Sequence, residues 1–109
     1  MGQHPPGESP PPRPAAREVY RLRLFVAGDA PNGVLARDNL GKLCAEHLAG
    51  RHELVVTDVL QDFRAALEHR VLVTPTLLLL APPPRVTVVG TLADTPKVLA
   101  ALRLLGGRP

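Results

Sequence analysis

The chain has 109 residues, a formal net charge of +3 and a single cysteine, so it is sized for one small domain and has no internal disulfide. Its longest apolar run, Val71 to Pro84, ends in three prolines and is too short to cross a bilayer, which argues against a membrane protein. Arg13, Arg17 and Arg108 hold part of the basic excess, and Tyr20, Phe25 and Phe63 are too few for the aromatic-lined basic stripe of a nucleic-acid binder.

Residues 1–18 gather Pro5, Pro6, Pro10, Pro11, Pro12 and Pro14 among small and polar residues. Such a segment buries too little apolar surface to offset its ordering entropy, and it reads as a disordered Pro-rich tail. It lacks the apolar centre of a secretion signal, and Pro6 stands where an N-myristoylation motif has Ser or Thr. A polyproline ligand for an SH3-like groove is the alternative to a simple solvated extension. The expected domain spans 19–106, with 107–109 as a short C-terminal tail. One cysteine and no disulfide fit a reducing, cytoplasmic location.

Arg21 to Ala27 alternates and then becomes apolar, as a buried strand does. Pro31-Asn32-Gly33 reads as a turn. Val34, Leu40, Leu43, Cys44 and Leu48 then recur near helical spacing until Gly50. Glu53 to Val59 is a second β-rich run, and Asp62 is placed to cap a short helix over Phe63 to His69. Thr74 to Leu80 reads as a third strand, opened by Pro75 at a position strands tolerate, and Pro82-Pro83-Pro84 makes a rigid connection. Arg85 to Gly90 alternates like an edge strand, with Thr87 facing away from Val86 and Val88. A last helix is expected over Thr95 to Leu105, with Asp94 or Thr95 as cap, Pro96 in the first turn and Gly106-Gly107 as the stop. The order βαβαββα predicts a parallel βαβ unit, a hairpin and a final helix: an α/β domain whose mixed sheet has helices on both faces.

Individual residues offer little chemistry. Cys44 lies between apolar neighbours and reads as a buried structural thiol, since nothing nearby lowers its pKa. His47, His52 and His69 lack metal-ligand spacing and read as surface histidines, so no metal is expected. Asp29 and Asp58 have no nucleophile or base beside them and read as solvated acids. Gly28 with Pro31 lacks the glycines and the lysine of a phosphate loop.

A strand running through Gly28-Asp29-Ala30-Pro31-Asn32 into a helix is similar to the opening of a thioredoxin-like domain. Redox members carry two cysteines in that turn, and this turn has none. The resemblance implies a thioredoxin-like scaffold that binds rather than catalyses, without a cofactor. It also implies a cis bond before Pro75, facing the start of the first helix.

Six motifs also resemble the KaiB family of circadian clock proteins in order and spacing: Phe25-Val26-Ala27-Gly28, Pro31-Asn32, Asp58-Val59-Leu60, Thr74-Pro75-Thr76-Leu77, Pro82-Pro83-Pro84, and Gly90 with Leu92 and Asp94. The resemblance spans about residues 20 to 105. It implies a non-enzymatic partner of the hexameric ATPase KaiC; the alternative is an adaptor for a sensor-kinase or stress-response protein. It further implies a metamorphic chain with two folds a few kcal/mol apart, one tetramer-forming and one thioredoxin-like, switching over about 60–105. Pro75, Pro82, Pro83 and Pro84 are candidates to gate that change, because X-Pro isomerisation takes tens of seconds or longer.

The chain departs from the family pattern in the last helix, where Ala101 replaces a glycine and Arg103 an acid. The first change favours helix by about 1 kcal/mol and the second suits the macrodipole by roughly 0.3–1 kcal/mol. Both favour a monomer resting in the thioredoxin-like form. The family also presents basic residues to KaiC. Leu35 and Val55 stand where two of these are expected, Arg70 keeps a third, and Arg37 and Lys42 are the substitutes on the first helix.

Overall fold

The computed structural model describes residues 19–104. The expected tails at 1–18 and 107–109 lie outside the described residues. Four strands and three helices alternate along the chain: β1 (Tyr20–Val26), α1 (Pro31–His47), β2 (His52–Asp58), α2 (Phe63–Glu68), β3 (Thr76–Ala81), β4 (Val86–Val89) and α3 (Thr95–Ala101). The sheet order is β2-β1-β3-β4, with β1 parallel to β2 and antiparallel to β3, and β3 antiparallel to β4. This is the expected parallel βαβ unit followed by a hairpin and a helix.

Period-two alternation sorts the strand residues onto two faces. Leu22, Leu24 and Val26 of β1 share one face with Leu77 and Leu79 of β3, which lie opposite Leu24 and Leu22. Ala36, Leu40, Leu43 and Cys44 of α1 cover that face together with Val98 and Leu99 of α3, making one continuous core. Leu24 and Leu40 are fully excluded from solvent. Burying a side chain of this size stabilises by about 1.5–3 kcal/mol, so this face supplies most of the fold's driving force. The other face presents Phe25 and Leu78 to Ala65 and Ala66 of the six-residue α2. Helices therefore lie on both faces, as expected, but one cover is only a turn and a half long.

Most element ends fall within two residues of the expectation, β3 starting at Thr76 rather than Thr74 so that Pro75 precedes the strand, and two depart further. Pro31, Asn32 and Gly33 are the first turn of α1 rather than a loop, with Ala30 as N-cap. Proline's fixed φ and missing N–H suit that position. Gly33 is buried there because an added Cβ would stand 3.1 Å from the Val26 Cβ. Val34, expected on the inner stripe, is exposed; Gly33 and Ala36 take the inner positions.

The second difference is the end of α3, which stops at Ala101 instead of Leu105. Arg103 lies past the helix in the left-handed region (φ 62°). Its N–H donates to the Ala100 carbonyl (3.0 Å), and the Leu104 N–H donates to the Leu99 carbonyl (2.8 Å). This paired closure returns Leu104 to the core, so an apolar spacing that continues the helix equally well serves to end it. α2 closes in the same way: Arg70 has φ 58°, its N–H donates to the Leu67 carbonyl, and the Val71 N–H donates to that of Ala66.

Candidate partner-binding surface

The turn between β1 and α1 is built by one carboxylate. Asp58 at the end of β2 accepts from the Gly28 and Leu60 backbone N–H groups, each at 2.9 Å. Asp58 is half-buried and structural, which corrects its reading as a solvated acid. Gly28 takes φ 54° there, a conformation that side chains resist. Across the turn the Thr74–Pro75 peptide is cis. Together the two segments frame a cleft of about 180 Å³ lined by Ala27, Ala30, Pro31, Asn32, Gly33, Thr74 and Pro75. Among the described residues no thiol, acid, base or cation lines it.

Cys44 faces the core from α1, and burial pushes its thiol up to about 11. One inert thiol cannot support dithiol exchange, so the chain is no thioredoxin-type enzyme. Among the described residues no group of three or more His, Cys, Asp or Glu could hold a metal ion, and no helix is long and apolar enough to cross a membrane.

The residues singled out in sequence fall into separate places. Arg37 and Lys42 are exposed and border one stretch of the outer surface of α1 with Asp38, Gly41 and Ala45. Arg70 is exposed at the end of α2, across the sheet from that stretch, so the three cations do not form one patch. Leu35 on α1 and Val55 on β2 are about half exposed, at 50% and 52%. Pro82, Pro83 and Pro84 join β3 to β4, and the Ala81–Pro82 and Pro83–Pro84 bonds are cis. Ala101 is the last residue of α3, and Arg103 follows its C-cap.

Two histidines are more than surface residues. His52 Nδ1 bonds the Leu48 carbonyl at 2.8 Å. His69 caps α2, packs its ring 5.8 Å from that of Phe25, and meets Arg23 Nη1 at 3.3 Å. A guanidinium only donates, so the imidazole Nε2 accepts. Arg23 also donates from Nε to Thr57 Oγ1 (3.2 Å) and lies over the Phe25 ring at 5.5 Å. Sequence reasoning passed over Arg23. Its signal was its place beside Arg21 at odd positions of an otherwise apolar strand, which puts both on one face.

Comparison with known proteins agrees with this architecture. The KaiB domain family model matches residues 23–104. The circadian clock oscillator protein KaiB of Prochlorococcus marinus strain MIT 9312 is 42% identical over 91 residues, covering 84% of this chain and 87% of that protein. KaiB of Nostoc sp. PCC 7120 is 41% identical over 90 residues, covering 83% of each. Among solved structures, chloroplastic thioredoxin z is similar with a TM-score of 0.68 at 20% identity, covering 85% of this chain and 84% of that one. The N-terminal domain of Synechococcus elongatus SasA is similar with a TM-score of 0.66 at 23% identity, covering 93% of this chain and 99% of that one. These two establish a thioredoxin-like fold, while the family match and the curated relatives establish descent. The chain belongs to the KaiB family.

Proposed function

We propose that this protein is a clock-type regulatory protein that binds a KaiC-type hexameric ATPase in the cytoplasm and modulates its phosphorylation cycle. It does so as a monomer resting in the thioredoxin-like state, with the family's other fold as a minor form. Family membership, combined with a thioredoxin-like scaffold lacking a thiol pair, is the observation that carries this reading. Arg37 and Lys42 on the outer surface of α1 supply the basic contact, and Arg70 supplies a second one from the end of α2.

Local energetics in the segment that would switch support this resting state. Asp94 caps α3 by accepting from the Lys97 N–H at 3.2 Å, and Pro96 sits in the first turn. Such a cap is worth about 1 kcal/mol. Ala101 adds helix propensity, and the Arg103 charge lies at the negative end of the helix dipole. Two folds a few kcal/mol apart are reordered by increments of this size.

Size-exclusion chromatography of the full chain, alone and with a KaiC-type hexamer from the same organism plus ATP, tests the reading. A monomer that co-elutes with the hexamer is the expected result, and reversing both charges (Arg37→Glu with Lys42→Glu) weakens co-elution. A stable tetramer alone would overturn the resting state. Failure to join the hexamer would overturn the partner. A second reading, an adaptor for a sensor-kinase or stress-response protein, is favoured by exposed Leu35 and Val55 where the family presents charges.

A further inference from the structure

We propose that the sheet face shared with α2 is a docking surface for an acidic segment of a partner protein, with Arg23 as the anchor that receives a carboxylate. This face serves that role whichever ATPase or kinase engages the outer surface of α1.

The first support is an unbalanced charge. Arg23 is half-buried, yet none of its three contacts is a carboxylate: Thr57, the His69 imidazole and the Phe25 ring. A guanidinium withdrawn from water is ordinarily matched by a carboxylate. None lies within ion-pair distance of Arg23 among the described residues, where Arg21–Glu53 is the pair between an arginine and a carboxylate. The three contacts fix the plane of the guanidinium and leave Nη2 without an acceptor among the described residues. That geometry is a pre-oriented donor for an incoming oxyanion.

The neighbouring residues extend the same charge. His69 lines a small cleft of about 80 Å³ with Leu78, Leu80, Arg85 and Thr87. On its other side Arg23 shares a shallow cleft of about 200 Å³ with Arg21, Glu53, Val55 and Leu80. Glu53 already pairs with Arg21 at 3.6 Å, and Asp62 of α2 is turned to the Ala65 N–H. Glu68, exposed on α2, makes no ion pair among the described residues. Arg23 and Arg85 are therefore uncompensated, with apolar Val55 and Leu80 beside them.

Size decides the class of ligand. Pockets that enclose a small molecule run to about 300–1,000 Å³ and bury most of its surface. Neither of the clefts that hold Arg23 and Arg85 reaches that, and the larger one on this face, about 340 Å³ between His69 and Val89, is lined by neither arginine. A carboxylate carried on a larger surface fits: its backbone spans the face, its acid meets Arg23, and adjacent apolar residues cover Val55 and Leu80. A half-buried arginine ringed by such contacts has the layout of a binding hot spot.

An NMR titration of the isotope-labelled full chain tests this, using a short capped peptide of alternating glutamate and leucine. Shifts are expected at the Arg23 Nε–H, His69, Leu80 and Thr87, with affinity falling about tenfold or more in Arg23→Gln, as loss of a charged hydrogen bond does. Arg85→Gln, at an exposed position, is expected to weaken binding several-fold and decides the matter should Arg23→Gln disturb the fold. Lys97→Gln, on α3 across the sheet, is expected to change nothing. Equal loss in Lys97→Gln, no loss in either arginine variant, or equal binding of a glutamine–leucine peptide would overturn the proposal. Inorganic phosphate binding the same residues as tightly would overturn it in favour of a small-oxyanion site.

Discussion

The two faces of the sheet are made from alternate residues of the same four strands, and they solve different problems. The face under α1 and α3 is apolar from Leu22 to Leu79 and is sealed by helices. The face under α2 places Arg21, Arg23, Thr57 and Thr87 among Phe25, Leu78 and Val89, and six helical residues cover only part of it. Stability is thus concentrated on one side, while the other leaves Arg21 and Thr87 exposed and Arg23 half-buried. The difference teaches that a chain this short can leave part of one sheet face uncovered when the opposite face is fully packed.

Substitutions that separate the faces give the largest contrast. Leu24→Ala, at a fully buried site, is expected to cost about 2–5 kcal/mol in urea unfolding. Val55→Ala, on the open face, is expected to stay within about 0.5 kcal/mol. Similar losses from the two would show that the open face is covered in solution.

Next in size is the short cover itself. Asp62 accepts from the Ala65 N–H at 3.1 Å and fixes the start of α2. Asp62→Ala is expected to cost about 1 kcal/mol and to raise amide hydrogen exchange over 63–68 while α1 stays protected. Uniform loss of protection would mean that α2 unfolds only with the whole domain.

The helix endings allow a smaller test. Arg103→Gly relieves a left-handed backbone at a position where glycine is ordinarily found, and is expected to stabilise by about 0.5–1 kcal/mol in thermal unfolding. Arg70→Gly is expected to gain as much while weakening partner binding, which would divide backbone cost from side-chain function at one residue.

The smallest effect appears only in alkali. Burial raises the Cys44 thiol from an ordinary 9.0 to about 11, so the folded state holds this proton more tightly than the unfolded state. Its stabilising contribution is complete below about pH 9 and is lost as pH rises through about 11. Unfolding midpoints are expected to fall over that range less steeply in Cys44→Ala than in the native chain.

The order of elements could be read from the alternation in β1 and β4 and from the turn and cap residues between runs, while the thioredoxin-like class rested on the resemblance of the Gly28–Asn32 turn. Asp62 and Asp94 were legible as caps, and Cys44 as a buried thiol, because their neighbours in sequence define those environments. The end of α3 was not, because an apolar residue after a helix satisfies both continuation and a closing turn. Arg37, Lys42 and Arg70 were readable as exposed cations, but not as two separate sites, since a sheet stands between them.

Arg23 shows the same limit most clearly. It lies in an apolar strand 34 residues from Thr57 and 46 from His69, and no local pattern joins the three. The sequence by itself determined the family, the strand and helix periods, the caps and the absence of a thiol pair, because each depends on residue type and near spacing. Only the tertiary structure decided which face was sealed and which cation was left without a counter-charge, because strand pairing brings distant residues together and sets who shares a face.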